Sequence, residues 1–524
     1  MSDLRAWQRM ASLVGDFEPG TVSVVGAGPG DAALISVRGA VRLMQADVVV
    51  HDPNVAAALL DLVGPQAEVE CFPGEGEGRE GTSQEGSVPA RKARDGKRVV
   101  RLLAGDPFVS GRGGRLCAFL AGAQVRFEVV PAVSAALGAS ATGGIPLVHL
   151  GMSRTVGLVA DVGGGDDGLA LDFSMLAGMD TLVFPATPGE MERYCERLIE
   201  AGLDARTPAA VVTRATRPEQ KTVLGSVGDI ADRLAGEGSD LPAVMIVGPV
   251  VRMRESLEWF ERQPLHGLTM AVTRMSDQSP VLGAALQAAG AEVIEAPTIQ
   301  LAEIDDYWPV DQALRGVGQY HWLVVTSANG VDALFKRLEA MGLDARALAG
   351  PRIAAVGSAT VGRFVERGIR PDLVPGEAVG EALAEALIQR GVAGQRVLLL
   401  RSDLARNYVV DALTGIGATC DDLMAYRTVC PESLPAGFLE RFDAGEIDWL
   451  TLTSPSSVAN LVKLLGPERA ERLKAIRLAS IGPVTTKAIR QAGLTEAVEA
   501  HPHDVPGLVA AIVGAVEALP RRPR

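Results

Sequence analysis

The sequence predicts an α/β protein in two halves, and three observations carry that prediction. Short apolar runs alternate with segments of helical periodicity along most of the 524 residues. Glycine is plentiful, at 59 residues, and aromatics make up only 4%, which suits tight strand-to-helix turns. The second half repeats itself: Thr326-Ser327 and Thr453-Ser454 lie 127 residues apart, as do Arg274 and Arg401, and Gly290 and Gly417.

The strand candidates come in order. "TVSVVG", "ADVVVHD", "RVVRLLAGD" and "FEVVPA" lie in the first third, followed by "TLVFPA", "AAVVT" and "AVMIVG". After a break at "WFERQPLHGLTMAVTR" come "TMAVTR", "WLVVTS", "RIAAVG", "RVLLLR", "WLTLTS" and "LASIG". A helix is expected to end around Phe260, and Gln263-Pro264 and His266-Gly267 punctuate the chain there. This sets the expected units at 20–262 and 267–520.

Bulk properties exclude several roles. The net charge of −14 disfavours nucleic acid in the absence of a basic patch. No apolar run approaches the roughly 20 residues of a membrane span. The first 20 residues carry no signal-peptide core and read as a short amphipathic helix. The five cysteines form no C-x-x-C pair and the six histidines show no metal spacing, so the expected setting is a reducing cytoplasm with no metal site.

Each repeat runs a buried strand into Thr-Ser and then into a helix. A hydroxyl there caps the helix by accepting its first N–H groups. The same N–H groups, helped by the helix dipole, can instead hold an anion. "VGSAT" and "IGPVT" repeat the arrangement at Gly357 and Gly482. Any one of these motifs reads as a cap. Four of them, paired across two lobes, point to a polyanionic ligand in the cleft between the lobes.

Residues from about 267 to 513 resemble uroporphyrinogen III synthase, through "AVTR", "TSANGV", "AVGSAT", "AYRT", "TSPSSV" and "IGPVTTKAI" in that family's order. The resemblance implies two flavodoxin-like lobes, one from 267–303 with 430–520 and the other from 304–429. It implies closure of hydroxymethylbilane, a linear tetrapyrrole with eight carboxylates, with inversion of its last ring and no cofactor. Placement of the chain matters more than acid–base power in such a reaction. Tyr426 is the residue the resemblance offers for protonating the leaving group, against the plainer reading of a half-buried tyrosine bonded to backbone. Thr360 and Thr485 match substrate-contacting positions. Ser327, Ser454 and Arg406 are weaker matches, and Arg406 could equally pair with a surface carboxylate.

"VGAGPGD" has Asp31 where a dinucleotide loop needs glycine. With "AGDPFVSGRGG", "VVPAVSAALGASATGGIPL", "TPAAVVTRATRPEQKTVLGSVGDI" and "PAVMIVGPVVRMRESLEWF", residues 20–260 resemble the tetrapyrrole methylases, nearest to uroporphyrinogen III C-methyltransferase. The resemblance implies the two-lobed tetrapyrrole methylase fold, with S-adenosylmethionine between the lobes. The positions it places by the cofactor are Pro29, Asp31, Ala104, Gly105, Asp106, Ser134 and Ala186. A homodimer through this half follows by analogy only.

Several positions depart from that pattern. His51 and Pro53 flank a retained Asp52, Ala104 and Ala132 replace glycines, Leu150 replaces an arginine, and "FPAT" stands at 184–187. A methyl in place of a glycine hydrogen can block a backbone–ligand approach. Fewer arginines weaken the grip on carboxylates. The Gly/Glu-rich stretch "CFPGEGEGREGTSQEGSVPARKA" reads as a mobile loop. Three expectations follow: a synthase fused to a weakened or inactive methylase, a bifunctional enzyme making precorrin-2, or a non-catalytic tetrapyrrole-sensing protein.

Overall fold

The computed structural model describes residues 11–72, 81–109, 111–159, 171–235, 243–274, 279–377, 379–403 and 407–519. The first ten residues of the expected N-terminal helix therefore lie outside it. The strands form four five-stranded sheets. In the first sheet, β1 (Thr21–Gly26), β2 (Val48–His51), β3 (Glu68–Cys71), β4 (Val99–Leu103) and β5 (Arg126–Val130) are all parallel, in the order β3-β2-β4-β1-β5. Every residue of β4 is buried, as expected where helices cover both faces of a parallel sheet. The second sheet holds β6 (Val156–Leu158), β7 (Thr181–Ala186), β8 (Pro208–Thr213), β9 (Lys221–Ser226) and β10 (Ala243–Val247), in the order β6-β7-β10-β8-β9. It is mixed, because β10 runs antiparallel to both its neighbours.

The segment expected to be a mobile loop differs from that reading. Residues Gly81–Arg94 form a helix that buries Ala90 and Ala93 against the first sheet. A side chain at Gly86 would overlap the Phe119 ring. Glycine there admits a close helix–helix approach, a use composition alone does not reveal. The remaining part of that stretch, 73–80, lies outside the described residues.

The second half builds a sheet from β11 (Thr269–Val272), β12 (Glu292–Glu295), β18 (Trp449–Leu452), β19 (Arg477–Ser480) and β20 (Glu496–Glu499), ordered β12-β11-β18-β19-β20 and all parallel. Its partner sheet holds β13 (Gln300–Ala302), β14 (Trp322–Val325), β15 (Arg352–Ala355), β16 (Arg396–Ser402) and β17 (Thr419–Val429), ordered β13-β17-β16-β14-β15. The two copies of the repeat are thus exchanged. β11-β12 of the first copy pair with β18-β19 of the second, while β16-β17 pair with β14-β15. In each sheet the strand order reverses once, between β11 and β18 and between β14 and β16. Ligands of open α/β sheets sit at the carboxyl ends of strands beside such reversals.

One boundary falls earlier than expected. Residues 300–302 pair antiparallel with β17, in the second of these sheets, not with 267–295. β17 is 11 residues long and outruns β16, and β13 covers its exposed edge. At the junction of the halves the helix ends at Leu257. The Gly267 N–H donates to Pro218 O at 3.2 Å, and His266 Nε2 lies 2.9 Å from Gln220 O.

Candidate functional sites

The turns after β1 and β4 meet the ends of β7, β8 and β10 around a cavity of about 690 Å³. Pro29, Ala104, Gly105, Asp106 and Ser134, singled out from sequence, all line it. Their roles divide. Asp106 accepts from the Phe108, Val109 and Ala132 N–H groups at 2.9, 3.1 and 2.9 Å, so its carboxylate staples the loop that shapes the cavity. Ser134 caps the helix Ala135–Thr142 by accepting from Leu137 N–H. A Cβ at Gly105, where φ is +73°, would meet nothing within 4 Å, so the backbone there is open to a ligand.

Two expected positions stand differently. Asp31 is not part of the lining: its carboxylate accepts from Ala33 N–H at 2.8 Å and caps a 3-10 turn, while its own N–H donates to Thr216 Oγ1 at 3.0 Å. Asp31 Oδ1 is thereby committed to the turn. Ala186 ends β7 between the lining residues Pro185 and Thr187. Ala132 also stays out of the lining. A Cβ built on Gly26 would come within 2.5 Å of the Ala132 methyl, which places that methyl over the β1 backbone.

Sequence reasoning missed Arg214, Arg217 and Glu190, which reach the same cavity from the second lobe. Arg217 Nη2 donates to Asn54 O at 3.0 Å and so ties the two lobes across the opening. The left-handed backbone of Arg214 and Thr216, at φ 48° and 68°, marks this loop as held by its surroundings. The only local signal was the quoted "TRATRPEQ", and no spacing rule brings it to Asn54.

Beneath the cavity floor, Asp52 is 2% exposed. It meets Arg101 at 2.6 Å, the Arg112 guanidinium, and the Ala104 N–H at 2.9 Å. Burial pushes the Asp52 carboxyl up, but Arg101 and Arg112 outweigh it and hold it below its ordinary value.

In the second half, Ser327 and Ser454 each lie two residues beyond a parallel strand and cap the following helix, Ala328–Ala340 and Pro455–Arg472. Ser327 Oγ accepts from Gly330 N–H at 3.0 Å and Ser454 Oγ from Ser457 N–H at 3.1 Å, so the capping reading is realised at both. Both hydroxyls do more: Ser454 Oγ lies 3.0 Å from Ser456 Oγ, a neighbour in its own helix, whereas the Ser327 contact reaches a distant strand. Ser327 Oγ lies 2.8 Å from the Tyr426 hydroxyl, and Tyr426 is 8% exposed. The tyrosine therefore bonds a side-chain hydroxyl and not backbone. With one Ser327 lone pair held by Gly330, a bond donated from Ser327 to Tyr426 leaves the phenolic proton free to go elsewhere.

Thr360 and Thr485 are both 3% exposed, in the first turns of the helices Gly357–Glu366 and Pro483–Gln491. Neither of those helices has a side-chain cap. Thr360 shares its sheet with Ser327 and Tyr426, whereas Ser454 and Thr485 follow strands of the other sheet. Arg406 lies outside the described residues. No group of three or more His, Cys, Asp or Glu suited to a metal occurs among the described residues. None of their helices is long and apolar enough to cross a membrane.

Comparison with known proteins places both halves in enzyme families. The family model for tetrapyrrole (corrin/porphyrin) methylases matches residues 21–231, and that for uroporphyrinogen-III synthase HemD matches residues 280–510. The porphyrin biosynthesis protein HemD of Ruminiclostridium josui is 32% identical over 480 residues, spanning 91% of this chain and 95% of that protein. The chain belongs to that protein's family, with a methylase region and a synthase region fused in one polypeptide. The siroheme synthase of Neisseria meningitidis serogroup C is 39% identical over 260 residues, covering 49% of this chain and 53% of that protein, so the chain spans about half of that relative. A solved structure, uroporphyrin-III C-methyl transferase from Thermus thermophilus complexed with S-adenyl homocysteine, is 33% identical, covers 44% of this chain and 99% of its own, and has a TM-score of 0.38.

Proposed function

We propose that two units, 20–262 and 267–520, act in sequence on one tetrapyrrole. The second closes hydroxymethylbilane to uroporphyrinogen III. The first holds S-adenosylmethionine and methylates that product. For the synthase, the observation that carries the reading is the Tyr426–Ser327 hydroxyl pair at 2.8 Å beside the strand-order reversal. The substrate hydroxyl leaves as water, taking a proton as its bond to carbon breaks, and the adjoining pyrrole nitrogen supplies the electron pair. Tyr426, relayed by Ser327, is placed to share that proton. Helix N-termini grip the carboxylates so that the inverted closure wins over the simple one.

For the methylase unit, the cavity volume lies within the roughly 300–1,000 Å³ range of small-molecule sites. The methyl of Ala104 lines that space without filling it. Gly105 and Pro29 would hold S-adenosylmethionine, which supplies an electrophilic methyl on sulfonium. The relative named siroheme synthase, similar over 260 residues, supports the reading. A scaffold role is the second reading. It is favoured by Leu150, 92% exposed, at a position where the methylase resemblance calls for arginine.

The test is turnover of freshly made hydroxymethylbilane, scoring type III against type I product. Tyr426→Phe should slow type III formation by tenfold or more with an unchanged melting temperature. Unchanged turnover removes Tyr426 from the mechanism, and absence of type III product from the wild type removes the synthase reading.

A further inference from the structure

The duplicated lobes carry related arginines in opposite states. Arg401, at the end of β16, is bound by Asp422 through Nε at 2.5 Å and through Nη2, and also meets Asn407 Oδ1 at 2.9 Å. Its repeat counterpart Arg274 follows β11, half-buried, and makes no hydrogen bond or ion pair among the described residues. The position equivalent to Asp422 holds Glu295, but that residue is exposed and forms no ion pair with Arg274 among the described residues. Burial of Arg274 lowers its pKa with no acid to offset it. A half-buried guanidinium without an anion is costly, and the cost is relieved when a ligand brings one.

The register gives Arg274 its place. β11 pairs with β18 up to Val272 opposite Thr451, so Arg274 follows the last pair by two residues, as Thr453 does before the Ser454 cap, at the strand-order reversal. The same lobe is poorer in backbone donors. Its two helices there open on Pro455 and Pro483, which have no N–H, whereas the other lobe's helices open on Ala328 and Gly357. The lobe without the Tyr426–Ser327 pair therefore has, at this strand end, a guanidinium with no partner among the described residues.

The geometry points to Arg274 as the residue that takes a substrate carboxylate in this lobe, with a guanidinium doing the work that backbone N–H groups do in the other. This rests on the synthase reading. Arg401 cannot serve the same purpose, because Asp422 already occupies it.

The experiment is steady-state turnover of hydroxymethylbilane by the full chain, with uroporphyrin III, an octacarboxylate, as competing inhibitor. Arg274→Ala should raise KM and the inhibitor Ki roughly tenfold or more, with a smaller change in kcat. Arg274→Lys should recover part of the loss. The melting temperature of Arg274→Ala should stay level or rise, while that of Arg401→Ala falls. Unchanged KM and Ki in Arg274→Ala would overturn the assignment while leaving the synthase reading intact. A fall in melting temperature shared by Arg274→Ala and Glu295→Gln would overturn it as well, by identifying Glu295 as its native partner. A wild type that makes no type III product removes the synthase reading and this assignment together.

Discussion

Two buried hydroxyl and carboxylate centres show how residue type and surroundings combine. Tyr426 is nearly enclosed, and what separates it from an ordinary core tyrosine is that its partner Ser327 is itself pinned by a helix N–H. Asp52 is held between two guanidinium groups, one of them Arg101, at 0% exposure. Asp52→Asn leaves Arg101 buried without its counter-charge and should cost roughly 3–5 kcal/mol in urea unfolding at neutral pH. Because the folded carboxyl titrates below its ordinary 3.8, its contribution is present above that value and is lost as pH falls through the lower folded value. The gap between wild type and Asp52→Asn should therefore narrow below about pH 4, and melts at pH 7 and pH 3 check it.

At the scale of elements, the cavity is a product of loop packing. Asp106 gathers three N–H groups from two chain segments, and Gly26 lets the Ala132 methyl and Gly105 O approach β1, at 2.5 and 2.7 Å from where its Cβ would stand. Ala104 and Ala132 looked equivalent in sequence, both replacing glycines, yet only Ala104 reaches the cavity. Calorimetric titration with S-adenosylmethionine should show Ala104→Gly binding more tightly than wild type. Ala132→Gly should bind no better, since its methyl packs on backbone. Equal gains from both would place Ala132 at the ligand too.

Across the whole molecule, Gln220 joins parts that the chain keeps far apart. It is 1% exposed. Its Oε1 accepts from Thr142 Oγ1 at 2.6 Å and Thr216 N–H at 2.8 Å, and its Nε2 donates to Glu261 at 2.9 Å. Its carbonyl meets His266 at the entrance to the second half, and Thr216 in turn receives the Asp31 N–H beside the cavity. Gln220→Leu leaves the Thr216 N–H without its acceptor, which should cost about 1–3 kcal/mol in thermal unfolding. S-adenosylmethionine binding should weaken with it, because Arg214 and Arg217 of the same loop line the cavity. An unchanged Kd would show that the network supports the fold alone.

The sequence by itself determined the alternation of strands and helices, the halves and the duplication at 127 residues, and of the seven positions expected by the cofactor, five line the first cavity. These are readable because burial periodicity and turn chemistry are local, and because a repeated unit announces itself by spacing. Gly86 escaped that reading, since glycine signals both flexibility and close packing, and only the Phe119 ring decides between them. The exchange of repeat halves between sheets, the Arg217 bridge, the Ser327–Tyr426 bond and the contrast between Arg401 and Arg274 were decided by tertiary structure. Each depends on which side chain from a distant segment arrives at a given strand end, and hydrogen bonds and charge neutralisation are set by that arrival, not by the residues next to it in the chain.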